Sequence, residues 1–132
     1  MIEVNIDGGA RGNPGPAAIG VVARTAGRQL FALGRPIGKA TNNVAEYTAL
    51  ICALKKLAQT AREENIKLLM DSELVVKQVK GEYRVKDADL KILHERALAL
   101  LKLFEAVDIA YVPRAKNFLA DRLVNKVLDT KV

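Results

Sequence analysis

The spacing of apolar residues changes period along the chain, and this change limits the fold more than any other feature. From Met1 to Asp7 the residues alternate: Ile2, Val4 and Ile6 point one way, Glu3, Asn5 and Asp7 the other, as in a strand. Gly8-Gly9-Ala10-Arg11-Gly12-Asn13-Pro14-Gly15-Pro16 then reads as a turn-rich loop. Ala18 to Ala23 and Gln29 to Gly34 read as second and third strands, joined through Gly27 as a hairpin. Thr41-Asn42-Asn43 offers N-cap residues, and after them the period becomes helical. A helix is predicted from about Val44 to Ala61, with apolar stripes Val44, Tyr47, Ile51, Leu54, Ala58 and Ala49, Leu50, Ala53, Leu57. Apolar surface that wide implies a well-buried helix. Ile66 to Asp71 predicts a fourth strand and Ser72 to about Lys80 a short helix ending at Gly81. Asp87 to Phe104 predicts a longer helix, Val107 to Val112 a fifth strand, and Asn117 to Leu128 the last helix. An antiparallel meander followed by α/β alternation predicts an α/β fold with a mixed sheet and helices on its faces. No linker is long enough to divide the chain, so residues 1–132 are expected to form a single domain.

Composition narrows the class. The chain has 132 residues, half hydrophobic and 27% charged. A chain of that size buries about two-thirds of its unfolded surface, which excludes disorder and a disulfide-stapled miniprotein. A lone cysteine, Cys52, fits a reducing cytosol. No apolar run approaches the roughly 18 residues of a membrane span, and Met1-Ile2-Glu3-Val4 has no basic leader. The expectation is therefore a cytoplasmic protein without a membrane partner, and nothing suggests an obligate interface beyond a monomer. Lysine and arginine total 21 against 15 acidic residues, a net charge of +6 that favours a polyanion such as nucleic acid. The competing reading is a basic surface that serves only solubility.

Four acids sit at unusual places. Asp7 and Asp71 each end a predicted strand, in the same phase relative to their apolar residues. If those strands are adjacent and parallel, the two acids meet at the carboxyl edge where open α/β sheets bind ligands. Glu46 lies one turn into the apolar helix with no basic residue three or four positions away. Asp121 lies in the first turn of the last helix, bordering its inward stripe. Each has a plainer alternative: Asp7 and Asp71 as turn or helix caps, Glu46 and Asp121 as first-turn acids facing a helix dipole. Four acids converging on one edge, however, repel one another unless a cation lies among them. Oxygen ligands without His or Cys suit Mg²⁺ or Mn²⁺ rather than zinc. Paired hard cations drive in-line displacement at phosphorus, which joins the acidic cluster to the basic excess.

At these residues the chain resembles type 1 ribonuclease H, in a compact form. Asp7 through Gly20 resembles the family's opening strand and loop, and Thr41 through Leu50 its first-helix motif. Asp71-Ser72 with Leu74, Val75, Gln78 and Gly81 resembles its third block, and Asn117-Phe118-Leu119-Ala120-Asp121 with Leu123 and Asn125 its last. The blocks occur in family order and span nearly the whole chain. The resemblance implies a five-stranded mixed sheet of order 3-2-1-4-5. It implies an endonuclease that cuts the RNA strand of RNA–DNA hybrids with two divalent ions, Mg²⁺ or Mn²⁺, held by Asp7, Glu46, Asp71 and Asp121. Gly8 and Gly9 permit close backbone approach to the hybrid, and Asn13, Asn42 and Asn43 match family positions that touch it. Thr41 matches a position that helps hold a DNA phosphate, and Ser72 is placed with the substrate-binding residues. Asn13 also reads as a turn residue before Pro14, and Asn42 and Asn43 as helix caps.

Two departures stand out. The loop Val112-Pro113-Arg114-Ala115-Lys116-Asn117 lacks the histidine that many members carry there; Arg114 and Lys116 are auxiliary candidates, though neither is a general base near neutral pH. His94, mid-helix, reads as an ordinary surface or edge histidine. The segment Gly81-Glu82-Tyr83-Arg84-Val85-Lys86-Asp87 is short and free of Trp where some members insert a basic handle, which implies weak, salt-sensitive hybrid binding. Glu73 stands where a Gln often reads the groove. Alternative readings are a non-catalytic hybrid-binding module, a nuclease of the same fold for double-stranded RNA or a DNA junction, and a Ca²⁺-binding structural domain. The last is disfavoured because the acids are scattered rather than packed into one loop.

Overall fold

The computed structural model describes residues 1–130; the last two residues of the expected domain, Lys131 and Val132, lie outside them. Three strands come first: β1 (Ile2–Ala10), β2 (Gly15–Thr25) and β3 (Arg28–Ala40). Then follow α1 (Asn42–Thr60), β4 (Asn65–Met70), α2 (Glu73–Val79), α3 (Ala88–Leu101), β5 (Ala106–Tyr111), a 3₁₀ turn at Arg114–Asn117, and α4 (Phe118–Asp129). The sheet order is β3-β2-β1-β4-β5. β1 pairs antiparallel with β2 and parallel with β4, and β5 continues the parallel half. The element order and the 3-2-1-4-5 sheet are those expected from the sequence.

Even-numbered residues of β1 face α1. Val4 and Ile6 are fully buried there, with Tyr47, Leu50, Leu54 and Leu57 of α1 and Leu68 and Met70 of β4. α3 joins this layer through Leu90 and Ala97. Odd-numbered residues face α4, which covers the other side through Val124, Leu128 and Val127 against Ala18. Helices therefore lie on both faces, and the acids approach from both.

Strand lengths differ from the expectation. Gly8-Gly9-Ala10 looks like a loop but continues β1, opposite Ile19, Ala18 and Ala17. β3 runs six residues beyond Gly34, through Pro36 and Gly38, to Ala40. It is an edge strand, where a missing N–H or side chain is tolerated, and its register with β2 shifts at Ala17/Ala18. The helices behave as their caps dictate: Thr41, Ser72 and Asp87 accept from the backbone N–H of Val44, Val75 and Leu90. The turn at Arg114–Asn117 has no apolar period and was not expected.

Close approach of α1 to β1 requires Gly8 to lack a side chain. A Cβ there would collide with the Ala45 carbonyl and crowd the Glu46 amide at 2.7 Å. Gly8→Ala is expected to destabilise the protein by about 2–4 kcal/mol, since backbone cannot swing aside as a side chain can. Thermal unfolding checks this; a shift within about 2 °C of the parent would contradict the packing.

Candidate active site

The site lies where β4 ends and its parallel pairing with β1 stops, short of the end of β1 itself. Ile6 pairs with Met70, so Asp7 and Asp71 emerge next to each other. Asp71 falls one residue past β4 rather than inside it, as the residue before the Ser72 cap. Glu46 reaches the same point from α1, and its carboxylate accepts a 2.7 Å hydrogen bond from the Gly8 N–H. Ligand oxygens of Asp7, Glu46 and Asp71 all lie within 4.8 Å of one another. Asp7 and Glu46 are only 7% and 8% exposed.

Asp121 is near the cluster and not within it. One of its oxygens lies 3.2 Å from the Arg114 guanidinium, and the other accepts from the Asn125 amide at 3.3 Å. It lines the same cleft of about 520 Å³, whose floor is Asp7, Gly8, Gly9, Glu46 and Asp71. The sequence places four acids at one edge; three gather tightly and the fourth stands at the rim. Arg114 is the cation that faces them, and the charge of Asp121 raises its pKa. Lys116 is exposed on the 3₁₀ turn and has no ion pair at 4 Å or less among the described residues.

The electrostatics are those of carboxyl groups that are buried and crowded together. Burial, then the charges of Asp71 and Asp121, push Asp7 up to about 8. Burial, then Asp7 and Asp71, push Glu46 up to about 9, against the opposing pull of the Gly8 N–H. Burial also raises Asp71, although a hydrogen bond from Asp7 and the Arg114 charge work the other way. An all-oxygen donor set whose members resist ionisation together fits a hard divalent cation, because such an ion offsets the repulsion that burial amplifies.

Of the expected substrate residues, Gly8, Gly9 and Asn42 line the cleft, while Asn13, Thr41, Asn43 and Ser72 are not among its lining residues. The Asn42 side-chain oxygen accepts from the Ala10 N–H at 2.9 Å, and the Asn13 oxygen accepts from the Asn42 N–H at 3.0 Å. These two bonds clamp the β1–β2 loop onto the start of α1. Thr41 and Ser72 use their hydroxyl oxygens as caps, and Asn43 is exposed. Capping and loop-holding are thus structural roles of Thr41, Ser72, Asn13 and Asn42. Glu73 pairs with Lys77 at 3.5 Å, one turn along α2.

Three features were not foreseen. Arg11 lines the cleft and forms an ion pair with Asp129 at 2.6 Å. His94, expected as a surface or edge histidine, is half-buried, and its contacts are what was unforeseen: its Nε2 is 3.0 Å from the Gln78 carbonyl and its ring meets Tyr47 edge-on. The Tyr47 hydroxyl in turn donates to the Gln78 side chain at 2.6 Å. Asn117 is fully buried, and the partners of its side-chain hydrogen bonds, Asn5 and Ile6, are far away in sequence. A polar residue in a helix-start motif carries no local sign of such burial.

Residues 5–127 match the family described as reverse transcriptase-like. A bifunctional protein of Mycobacterium tuberculosis is 45% identical over 130 residues, spanning 97% of this chain and 35% of its own length. Ribonuclease HI of Halobacterium salinarum is 45% identical over 129 residues, spanning 97% of this chain and 64% of its own. The LC11-RNase H1 structure in complex with RNA/DNA hybrid is 41% identical, covers 98% of this chain and 97% of that chain, and superposes with a TM-score of 0.92. The fold and these matches define a reverse transcriptase-like domain. Within that class, the chain belongs to the type 1 ribonuclease H family, in its compact form.

Proton linkage follows from the raised carboxyl groups. The folded protein keeps protons on Asp7 and Glu46 up to about pH 8–9, whereas the unfolded chain releases them near pH 4. Their stabilising contribution is full below about pH 4 and is lost as the pH rises toward 8–9. In EDTA, the Tm is expected to fall by several degrees between about pH 5 and 8, with a smaller slope in Asp7→Asn. Added Mg²⁺ is expected to raise Tm more at pH 8 than at pH 5. Equal slopes for the parent and Asp7→Asn would contradict this account.

Proposed function

We propose that the protein is an endoribonuclease that hydrolyses the RNA strand of RNA–DNA hybrids, leaving a 3′-hydroxyl and a 5′-phosphate. The observation that carries this reading is the trio of carboxylates within 4.8 Å where the parallel pairing of β1 with β4 stops. Asp7, Glu46 and Asp71 would hold divalent metal, Mg²⁺ or Mn²⁺, with Asp121 completing the set from the rim. Two such ions, when bound, supply activation of the attacking water and stabilisation of the leaving 3′ oxygen.

This chain's own residues do the remaining work. The Gly8 N–H fixes one Glu46 oxygen and so orients the carboxylate. Because the side-chain oxygens of Asn13 and Asn42 are engaged internally, their free groups are amide donors. Together with the exposed Asn43, they suit acceptors in the hybrid's minor groove and on the 2′-hydroxyl, the group that tells RNA from DNA. The hydroxyl oxygens of Thr41 and Ser72 accept cap bonds, which leaves their O–H groups to donate to phosphate or sugar oxygens next to the cleft residues Asn42 and Asp71. Gly8 and Gly9 leave backbone open to close approach. Arg114 and Lys116 supply positive charge at the rim in place of a loop histidine. We place the protein as a monomer in the cytoplasm; among the described residues no helix is long and apolar enough to cross a membrane.

Incubation of a strand-labelled hybrid with Mg²⁺ or Mn²⁺ tests this. Cutting is expected in the RNA strand alone, falling by about a hundredfold or more in Asp7→Asn. Binding without cutting under either metal would instead indicate a hybrid-binding module, and preferential cutting of double-stranded RNA would indicate a different substrate.

A further inference from the structure

Asn117 occupies the N-cap position of α4, a place where asparagine ordinarily bonds to the helix's own amides. Here its side chain makes no cap bond. The carboxamide turns inward, with the residue 0% exposed, and bonds to β1 at two points. Its Nδ2 donates to the Ile6 carbonyl at 2.9 Å, the carbonyl of the peptide that leads into Asp7. Its Oδ1 accepts from Asn5 Nδ2 at 2.9 Å. Asn5 is itself 2% exposed, and its Oδ1 accepts from the Arg24 guanidinium at 3.1 Å.

The direction of this relay is fixed at both ends. A guanidinium can only donate and a peptide carbonyl can only accept. Arg24 therefore sets Asn5 with its amide toward Asn117, and Ile6 sets Asn117 with its amide toward β1. Both orientations agree, so neither carboxamide can flip without losing bonds in a buried setting. Asn117 lies one helical turn before Asp121, and its grip on β1 falls at the peptide next to Asp7.

The neighbouring packing works to the same end. Gly20 pairs directly with Asp7 across β1 and β2. A Cβ at Gly20 would lie 2.5 Å from the Ala120 carbonyl and 3.0 Å from Leu123 Cβ. The first turn of α4 thus sits in a notch opposite Asp7, bolted at one side by Asn117.

We propose that Asn117 is a positioning residue that sets where Asp121 stands relative to Asp7, and hence how the fourth carboxylate joins the metal site. This rests on the reading of Asp121 as a metal ligand, and it adds that the buried amide relay delivers that ligand. Asn117 touches neither substrate nor metal; it acts through α4.

Binding of Mn²⁺ alone to the full chain, followed by electron paramagnetic resonance, tests this without any nucleic acid. Asp121→Asn and Asn117→Ala are each expected to weaken Mn²⁺ binding about tenfold. The double variant is expected to be weakened about tenfold as well, because both changes remove one contribution. Asn5→Ala keeps the bond from Asn117 to Ile6 and is expected to weaken binding two- to threefold; it carries the test if Asn117→Ala does not hold its fold. Unchanged Mn²⁺ affinity in folded Asn117→Ala, or in Asn5→Ala where that variant carries the test, would overturn the proposal. So would a roughly hundredfold additive loss in the double variant. A parent protein that binds Mn²⁺ but cuts no hybrid would overturn the proposed activity and leave this inference standing.

Discussion

The crowding of carboxyl groups where the parallel pairing of β1 with β4 stops governs the rest of this structure. Asp7, Glu46 and Asp71 have their oxygens within 4.8 Å, and two of the three are nearly sealed from water. In that setting like charges cannot all ionise without a cation. Each local feature of the site manages this cost. The Gly8 amide takes one Glu46 oxygen, Arg114 leans over the rim, and the remaining repulsion is left for a divalent ion to remove.

The fold serves this end by bringing helices to one sheet edge from opposite faces. α1 lies on the even face of β1 and hands in Glu46; α4 lies on the odd face and brings Asp121. Both helices approach closer than ordinary side chains permit. Gly8 makes room for the α1 backbone at Ala45, and Gly20 makes room for the α4 backbone at Ala120. Gly8, which reads as loop, and Gly20, inside a predicted strand, are the points where helix meets strand. Loss of side-chain packing at those positions is offset by bringing the acid-bearing backbone within reach of Asp7.

How much of this is readable from the chain depends on the range of the signal. Alternation at Ile2, Val4 and Ile6 and at Ile66, Leu68 and Met70 is local, so the two central strands and the shared phase of Asp7 and Asp71 could be read directly. The stripes of α1 and the cap at Thr41 are local as well, whereas α2 is capped by Ser72 and not by Asp71, the cap candidate the sequence offered. Gly8-Gly9-Ala10 and Pro36 to Ala40 could not be read as strand, because pairing with β2 overrides their weak strand preference. The tight trio depends on how α1 sits on the sheet, and the rim position of Asp121 on how α4 does, which no short pattern encodes. The burial of Asn117 is further still from view: its partners Asn5 and Ile6 lie more than 110 residues away. His94 gave the same difficulty, since its contacts with Gln78 and Tyr47 join three helices.

Diffraction from crystals grown with Mn²⁺, using its anomalous signal, tests the central electrostatic claim most directly. The account predicts manganese bound directly to carboxylate oxygens of Asp7, Glu46 and Asp71. A cleft that stays free of manganese at saturating concentration, with the three carboxylates undisturbed, would contradict it.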